Sequence, residues 1–463
     1  MLFTSISFLY YFLPIILLIY FIVPNNIKNY WLLISSLVFY LYGDSKYLIL
    51  MILEILICYI GGLILEKQHN KYILWLFLAI HLGLLGYFKY IDFLISSLNG
   101  LLASNFKLLN VVLPIGISFY TFQIISYLID VYQKKIKAQH NFFKLATYIS
   151  LFPQLIAGPI VRYEDINKNL DKKDISLINI SYGIKRFIIG LGKKVLIANM
   201  LGSFCTSYLN SPDKSVLFSI FYVISYTMQV FFDFAGYSDM AIGLGKILGF
   251  NFLENFDYPF ISTSITEFWR RWHISLGSWF RDYVYIPLGG SKGGTLKLIR
   301  NILIVWSLTG LWHGASWNFV VWGLYFGIIL LLEKLWLKKY IDKLPTFFKN
   351  LYVLIIVGIS FVIFGTNSLT EGITILKNVF GFNGLAFNNL VTKYYLKSYA
   401  LVIISGIILS MPILKKGIER LKSKSIGKKI INILEPLCLV IILLIVTSCL
   451  IDNSYNPFLY FRF

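Results

Sequence analysis

The sequence predicts an all-α protein that crosses a membrane about eleven times, with re-entrant and interfacial helices between the crossings. Three observations predict it. Of the 463 residues, 57% are hydrophobic and 14% charged, against about 25% charged in an average soluble domain. Apolar runs recur at lengths near the ~20 residues that one helical crossing takes. Those runs do not alternate apolar and polar residues in ~10-residue segments, as the strands of a membrane barrel would.

The opening stretch, MLFTSISFLYYFLPIILLIYFIV, has no basic leader and no small-residue cleavage site. It reads as a retained first helix and not as a secretory signal. Apolar segments at 5–23, 30–42 and 47–65 are joined by short stretches that carry Lys28, Lys67 and Lys71. Basic loops favour the cytoplasm, which puts the N-terminus outside. A fourth span covers 72–88, and 91–112 reads as a half-buried helix and loop on the outer side. The run 113–132 is followed by Lys134, Lys135 and Lys137 and so ends inside. Ala146 to Ile160 is too short to cross and is interrupted by Pro153, Gly158 and Pro159. A re-entrant or interfacial piece fits it, because broken backbone at membrane depth must be buried in protein or line a cavity.

Residues 184–209 read as a tilted span whose Lys185, Arg186, Lys193 and Lys194 snorkel to the headgroups. A span at 216–235 returns the chain to the cytoplasmic side. Residues 236–300 are rich in aromatics and arginine and read as short helices on, or dipping into, that face. Ile302 to Leu337 is long enough for two crossings with a turn near Gly314–Asn318, and spans at 351–366, 396–413 and 434–451 complete the chain. The whole of 1–463 reads as one domain, with N-terminal helices at 1–112, a core at 113–337 and C-terminal helices at 338–463.

The net charge is +20. Its lysines and arginines fall mostly in loops between apolar runs, where anionic headgroups and the positive-inside rule account for them. No nucleic-acid partner is needed. Cys58, Cys205, Cys438 and Cys449 are scattered with no CxxC pair, which is neither a disulfide framework nor a zinc site.

Two stretches carry the candidate chemistry. WSLTGLWHGASWN, 306–318, places His313 about 20 Å into a helix that starts near Arg300. An ionisable side chain at that depth faces a protein interior or a wet cavity. Imidazole is also the general base whose ordinary pKa lies near working pH. The alternative is a structural histidine bonded to a neighbouring helix. Gly310 and Gly314 beside it leave room for a ligand or another backbone. Trp312 and Asn318 flank the same turn. The second stretch, FWRRWHISLGSWFRDYVYIPLGG, 268–290, contains His273. Its arginines either mark a headgroup-facing helix or, with Trp269 and Lys292, form an anion-binding wall for a phosphate-rich donor. Arg270, Arg271 and Arg281 would be that wall's guanidinium forks. GGSKGG at 289–294 lacks the P-loop pattern and reads as a loop. Asp233 and Asp239 could orient a histidine or a basic side chain, or cap a helix at Ser238–Asp239. Glu54 reads as paired with a lysine or arginine of another helix, and His81 as a packing histidine. No GxSxG, no Ser-His-Asp order and no metal constellation is legible.

The stretches 113–132, FPQLIAGPIVRY at 152–163, QVFFDFAGYSDMAIGLGKILGF at 229–250, 268–291, LTGLWHGASWNFVVWGLYFG at 308–327 and the terminal NPFLYFRF resemble, in order and over nearly the whole chain, the membrane-bound O-acyltransferase (MBOAT) family. The likeness is to its bacterial branch of alginate-type polysaccharide O-acetylation membrane proteins. The resemblance implies the MBOAT fold, helices ringing a thin centre. It puts the family's catalytic histidine on His313, as general base or organiser of acyl transfer. It puts the second family histidine on His273, holding or polarising a thioester.

The same resemblance implies a multi-pass protein of the bacterial cytoplasmic membrane, surrounded by lipid. Its donor would be acetyl-CoA or another acyl thioester from the cytosol, with no bound cofactor and no metal. Its acceptor would be an extracytoplasmic glycan, reached directly or through an extracellular esterase-like acetyltransferase partner. D-alanyl transfer to teichoic acid is the neighbouring activity. Members of that kind share the WHIS and WHG features but usually have Thr and Ser where this chain has Gln154 and Ile156. A non-enzymatic transporter or scaffold is the reading outside the family.

Overall fold

The computed structural model describes residues 2–156, 158–452 and 459. Among them there is helix and no strand, apart from one isolated antiparallel bridge between Phe256 and Trp272. The contacts group into two compact units. One is Met1–Phe187 with Met240–Leu253, and the other is Ile188–Asp239 with Glu254–Phe463.

The first unit holds α1 (Leu13–Ile22), α2 (Lys28–Gly43), α3 (Leu48–Gln68), α4 (Lys71–Leu102), α5 (Ile117–Tyr132), α6 (Phe142–Ser150), α7 (Phe152–Leu155), α8 (Tyr163–Asp171) and most of α9 (Leu177–Gly192). Asn70 caps α4 by accepting the Tyr72 N–H at 2.8 Å, and Asn141 caps α6 through the Lys144 N–H at 3.2 Å. Such caps answer the orphan N–H groups of a helix start. α5 packs against α3, α4, α6 and α8 and is buried on almost every side. Its polar residues Ser118, Thr121, Gln123, Ser126 and Asp130 go inside with it. Glu54 on α3 and His81 on α4 meet at 2.9 Å, both fully buried. The partner of Glu54 is therefore a histidine and not the expected lysine or arginine.

A further expectation for this unit changes. α4 does not stop at residue 88 but runs on to Leu102, because 89–102 keeps apolar residues at helical spacing with no proline. The interrupted stretch is two short helices, α6 and α7, and residues 145–156 are all buried in protein. That is the condition such a break requires.

The second unit holds α10 (Asn199–Asn210), α11 (Val216–Ile247, whose last turns belong to the first unit), α12 (Ile265–Arg271), α13 (Ile274–Phe280), α14 (Thr295–His313), α15 (Trp317–Leu332), α16 (Lys338–Ile341), α17 (Thr346–Gly365), α18 (Leu369–Val379), α19 (Leu390–Leu409), α20 (Ile413–Lys422) and α21 (Ser425–Asp452). α11 also outruns its expected end at 235. Gly236 allows it: a Cβ there would lie 2.7 Å from the Gly190 carbonyl oxygen of α9. Lys193 and Lys194 do not snorkel as expected. They turn inward to Asp239 and Asp233 of α11.

Among the described residues, seven helices are long and apolar enough to cross a bilayer. They are Ser45–Gln68, Lys71–Leu102, Leu177–Asn210, Val216–Ile247, Trp317–Ile341, Thr346–Gly365 and Ser425–Asp452, with an eighth if α19 and α20, bent by 65°, are one broken span. The chain is a multi-pass membrane protein. Several segments expected to cross form shorter helices. α2 and α5 have 16 residues each, which at ~1.5 Å per residue falls short of a ~30 Å hydrocarbon core.

α14 and α15 form a hairpin whose backbones nearly touch. A side chain on Gly310 would collide with the Phe319 carbonyl, and one on Gly323 with the Trp306 carbonyl. Of the two readings for the space at Gly310, a ligand or another backbone, the backbone of α15 fills it. Gly310→Leu should force the hairpin apart, at a cost of at least ~1–3 kcal/mol. It should lower membrane accumulation about tenfold when compared with wild type by blot. Glu54→Ala, which strands His81, should cost about 3–5 kcal/mol, read as a lower unfolding temperature of the purified protein in detergent.

Candidate active site

The site is built where three segments of the second unit meet. α12 ends at Arg271 and α13 begins at Ile274, so Trp272 and His273 form the elbow between them. Glu333, at the end of α15, holds the start of α12. Its carboxylate accepts the N–H groups of Ile265 at 2.6 Å and Thr266 at 2.9 Å. Ser264 caps the same turn through the Glu267 N–H at 3.1 Å.

His273 has φ 44° and ψ 54°. A side chain with a Cβ seldom sits in this left-handed region, and it stays there only when its surroundings forbid the alternative. Here the segment 255–257 runs antiparallel to 271–274 and clamps it. The Ile274 N–H donates to the Asn255 carbonyl at 3.0 Å, and the Asp257 N–H donates to the Arg271 carbonyl at 2.9 Å. Asn255 also reaches the elbow with its side chain. Its Oδ1 lies 3.1 Å from His273 Nδ1, accepts the Ser275 N–H at 3.2 Å, and accepts the Ser275 hydroxyl at 2.9 Å. Its Nδ2 donates to the Ser238 hydroxyl of α11 at 3.0 Å.

The His273 ring is 1% exposed. Burial pushes its pKa down to about 3. Phe234 meets it edge-on at 4.6 Å between centroids, and Trp312 at 5.7 Å. Nε2 has no hydrogen-bond partner among the described residues.

His313 is the last residue of α14, and the chain turns through Gly314 to Ser316 into α15. Its ring is buried among Trp312 at 5.0 Å, Trp322 at 5.0 Å and Phe364 at 5.5 Å. The two histidines, 40 positions apart in sequence, come within 6.4 Å of each other, centroid to centroid. Asn318 fixes the far side of the turn, donating from Nδ2 to the Thr366 carbonyl at 2.6 Å.

The other sequence candidates are placed as follows. Trp269 is packed among Trp306, Trp322 and Phe326 at 4.6, 5.7 and 4.8 Å, within an aromatic core. Arg271 is engaged by Glu267 at 2.9 Å and Asp257 at 3.0 Å, and Arg281 by Asp282 at 2.6 Å. Two of the forks expected in an anion wall are thus already matched by carboxylates. Arg270 and Lys292 are exposed, Lys292 in the turn at 289–294. Asp233 and Asp239 lie inside α11, so the helix-cap reading at Ser238–Asp239 does not hold. Both carboxylates orient lysines and not histidines: Lys194 for Asp233, and Lys193 at 2.6 Å for Asp239. Asp233 also accepts the Leu459 N–H at 2.9 Å. Among the described residues, no three of His, Cys, Asp and Glu converge as metal ligands would.

Asn255, Ser275 and Glu333 were not singled out in the sequence. Each does its work through tertiary contacts, and no spacing or periodicity marks it.

A model of the membrane-bound O-acyltransferase family matches residues 133–370. The chain is similar to "Probable alginate O-acetylase AlgI" of Azotobacter vinelandii, 36% identical over 502 aligned residues that cover 100% of both chains. It is 35% identical over 430 residues to "Peptidoglycan O-acetyltransferase" of Helicobacter pylori, covering 84% of this chain and 82% of that one. It is 32% identical over 271 residues to "Teichoic acid D-alanyltransferase" of Bacillus subtilis, covering 55% and 68%.

The lysine–aspartate pairs behind the site give a direct test. Lys194→Met leaves the Asp233 carboxylate buried and unmatched, and should cost about 3–5 kcal/mol. Lys194→Met with Asp233→Asn should regain most of that stability, as measured by thermal unfolding in detergent.

Proposed function

Since the chain belongs to the membrane-bound O-acyltransferase family, we propose that it moves an acetyl group from a cytosolic thioester to hydroxyls of an extracytoplasmic polysaccharide. The observation that carries this is the pair of buried imidazoles, His313 and His273, brought to 6.4 Å from separate segments. The donor is acetyl-CoA or another acetyl thioester. The protein lies in the bacterial cytoplasmic membrane with its N-terminus outside. An extracellular esterase-like partner completes the transfer where the acceptor cannot reach the centre itself. The two O-acetylating relatives cover more of the chain than the D-alanylating one, which supports acetyl over D-alanyl as the group moved.

The chemistry follows from neutral imidazole. His313 takes the proton of the attacking hydroxyl as its oxygen bonds to the thioester carbonyl carbon. The tetrahedral adduct then breaks its C–S bond, and the departing thiolate receives that proton. Nothing is oxidised, and the products are an ester and a free thiol. An aromatic wall of Trp312, Trp322 and Phe364 around His313 keeps bulk water from competing as the nucleophile.

Acetyl content of cell-surface polysaccharide, in a deletion strain carrying wild type, His313→Ala or His273→Ala at matched membrane levels, tests the reading. His313→Ala should reduce acetyl at least about a hundredfold. Acetylation that persists in that strain would remove the histidine pair from the chemistry. D-alanyl esters in place of acetyl in the wild type would reassign the group transferred.

A further inference from the structure

The hydrogen bonds around Asn255 decide which nitrogen of His273 carries the proton. The amide atom of Asn255 that faces the elbow touches the Ser275 backbone N–H at 3.2 Å. A backbone N–H can only donate, so that amide atom is the oxygen. The same oxygen lies 3.1 Å from His273 Nδ1, so Nδ1 must donate to it. In a neutral ring the other nitrogen, Nε2, then has a bare lone pair. A half-turn of the ring would set carbon Cδ2, not Nε2, against that oxygen and lose the bond, and Phe234 and Trp312 pack edge-on against the ring.

From this geometry we propose that Asn255 is a positioning residue. It locks His273 in the Nδ1–H form, so that Nε2 serves the reacting centre as a permanent hydrogen-bond acceptor for an O–H or N–H of the substrate. This rests on the acetyl-transfer reading above and sharpens it. A group with a bare nitrogen can hold a donor substrate, but it cannot polarise the thioester carbonyl, which needs a hydrogen-bond donor.

The surroundings keep His273 in that state. Among the described residues, those bonded to it or in ring contact with it are Asn255, Ser275, Phe234, Trp312 and His313. Only His313 among these carries a second imidazole, and none carries a carboxylate. Asparagine, unlike aspartate, offers no charge to stabilise an imidazolium. Burial acts in the same direction. The two ring centroids are too far apart for the histidines to bond directly, so no described residue takes up the acceptor at Nε2.

Membranes containing the full chain, supplied with an acetyl thioester and assayed from about pH 5 to 9, provide the test. In Asn255→Asp a carboxylate replaces the amide oxygen and favours the imidazolium, whose Nε2–H can no longer accept. The acid limb of the rate profile should move up by about 1–3 pH units. Asn255→Ala frees the ring and should cut the rate on the order of 10–100-fold at every pH, at matched protein levels. A higher KM for the thioester alone places the bonded N–H or O–H on the donor, and a higher KM for the glycan places it on the acceptor.

A wild-type profile in Asn255→Asp, or a wild-type rate in Asn255→Ala, overturns the proposal. An independent readout avoids any folding ambiguity. In a 15N spectrum of histidine-labelled wild type in bilayers, the His273 signals, identified by their loss in His273→Gln, should show a protonated Nδ1 and a bare Nε2. The opposite pattern also overturns it. Wild-type membranes that transfer no acetyl would instead sink the O-acetyltransferase reading, and the 15N spectrum would still decide the tautomer.

Discussion

Two short backbone segments, 255–257 and 271–274, hold each other by antiparallel hydrogen bonds, and the centre of the second unit depends on that contact. Without it nothing would keep His273 in a left-handed conformation that a side chain disfavours. α12 and α13 would join into one helix and the imidazole would swing away. The contact is reinforced from both ends. Glu333 anchors the start of α12 from the end of α15, and the Asn255 side chain ties the elbow to α11 through Ser238. The strain is local, and its supports come from distant parts of the sequence. Such an arrangement holds a strained side chain in one place.

The same logic governs the charges inside the helices. A lone carboxylate in an apolar bundle is costly, and three of those here have a partner. Glu54 meets His81, Asp233 meets Lys194, and Asp239 meets Lys193. The lysines sit where α9 gives way to α10, and the aspartates one turn and a half apart on α11. They hold these two long spans at fixed rotation, with the glycines between them setting the distance. Because α11 also carries Phe234 and Ser238 toward the elbow, these ion pairs reach the site without touching it.

Much of this was legible from the sequence. Hydropathy gave the helical membrane class, and two histidines stood out as ionisable groups among tryptophans and arginines. The family resemblance then assigned them roles, and the fold brings them together. What was not legible had physical causes. Asp233 and Asp239 read as orienting a histidine or a basic side chain, or as capping a helix, and nothing local chose between these. Their lysine partners lie 39 and 46 positions away, and no local pattern announces such pairing. Asn255 looked like any loop asparagine, because its importance lies in the orientation of one oxygen. Among the described residues seven or eight helices meet the length and hydropathy of a crossing, against about eleven expected. α5 is one that does not, since it is apolar but short and, enclosed by protein, need not match the bilayer's thickness.

α5 has a consequence for how the chain is made. It is enclosed on every side, and its polar stripe of Ser118, Thr121, Gln123, Ser126 and Asp130 is buried with it. Two of its walls, α3 and α4, leave the ribosome before it, but α6 and α8 follow. During synthesis the helix therefore emerges with two of its walls still to come, and its enclosure waits until about forty more residues have been translated.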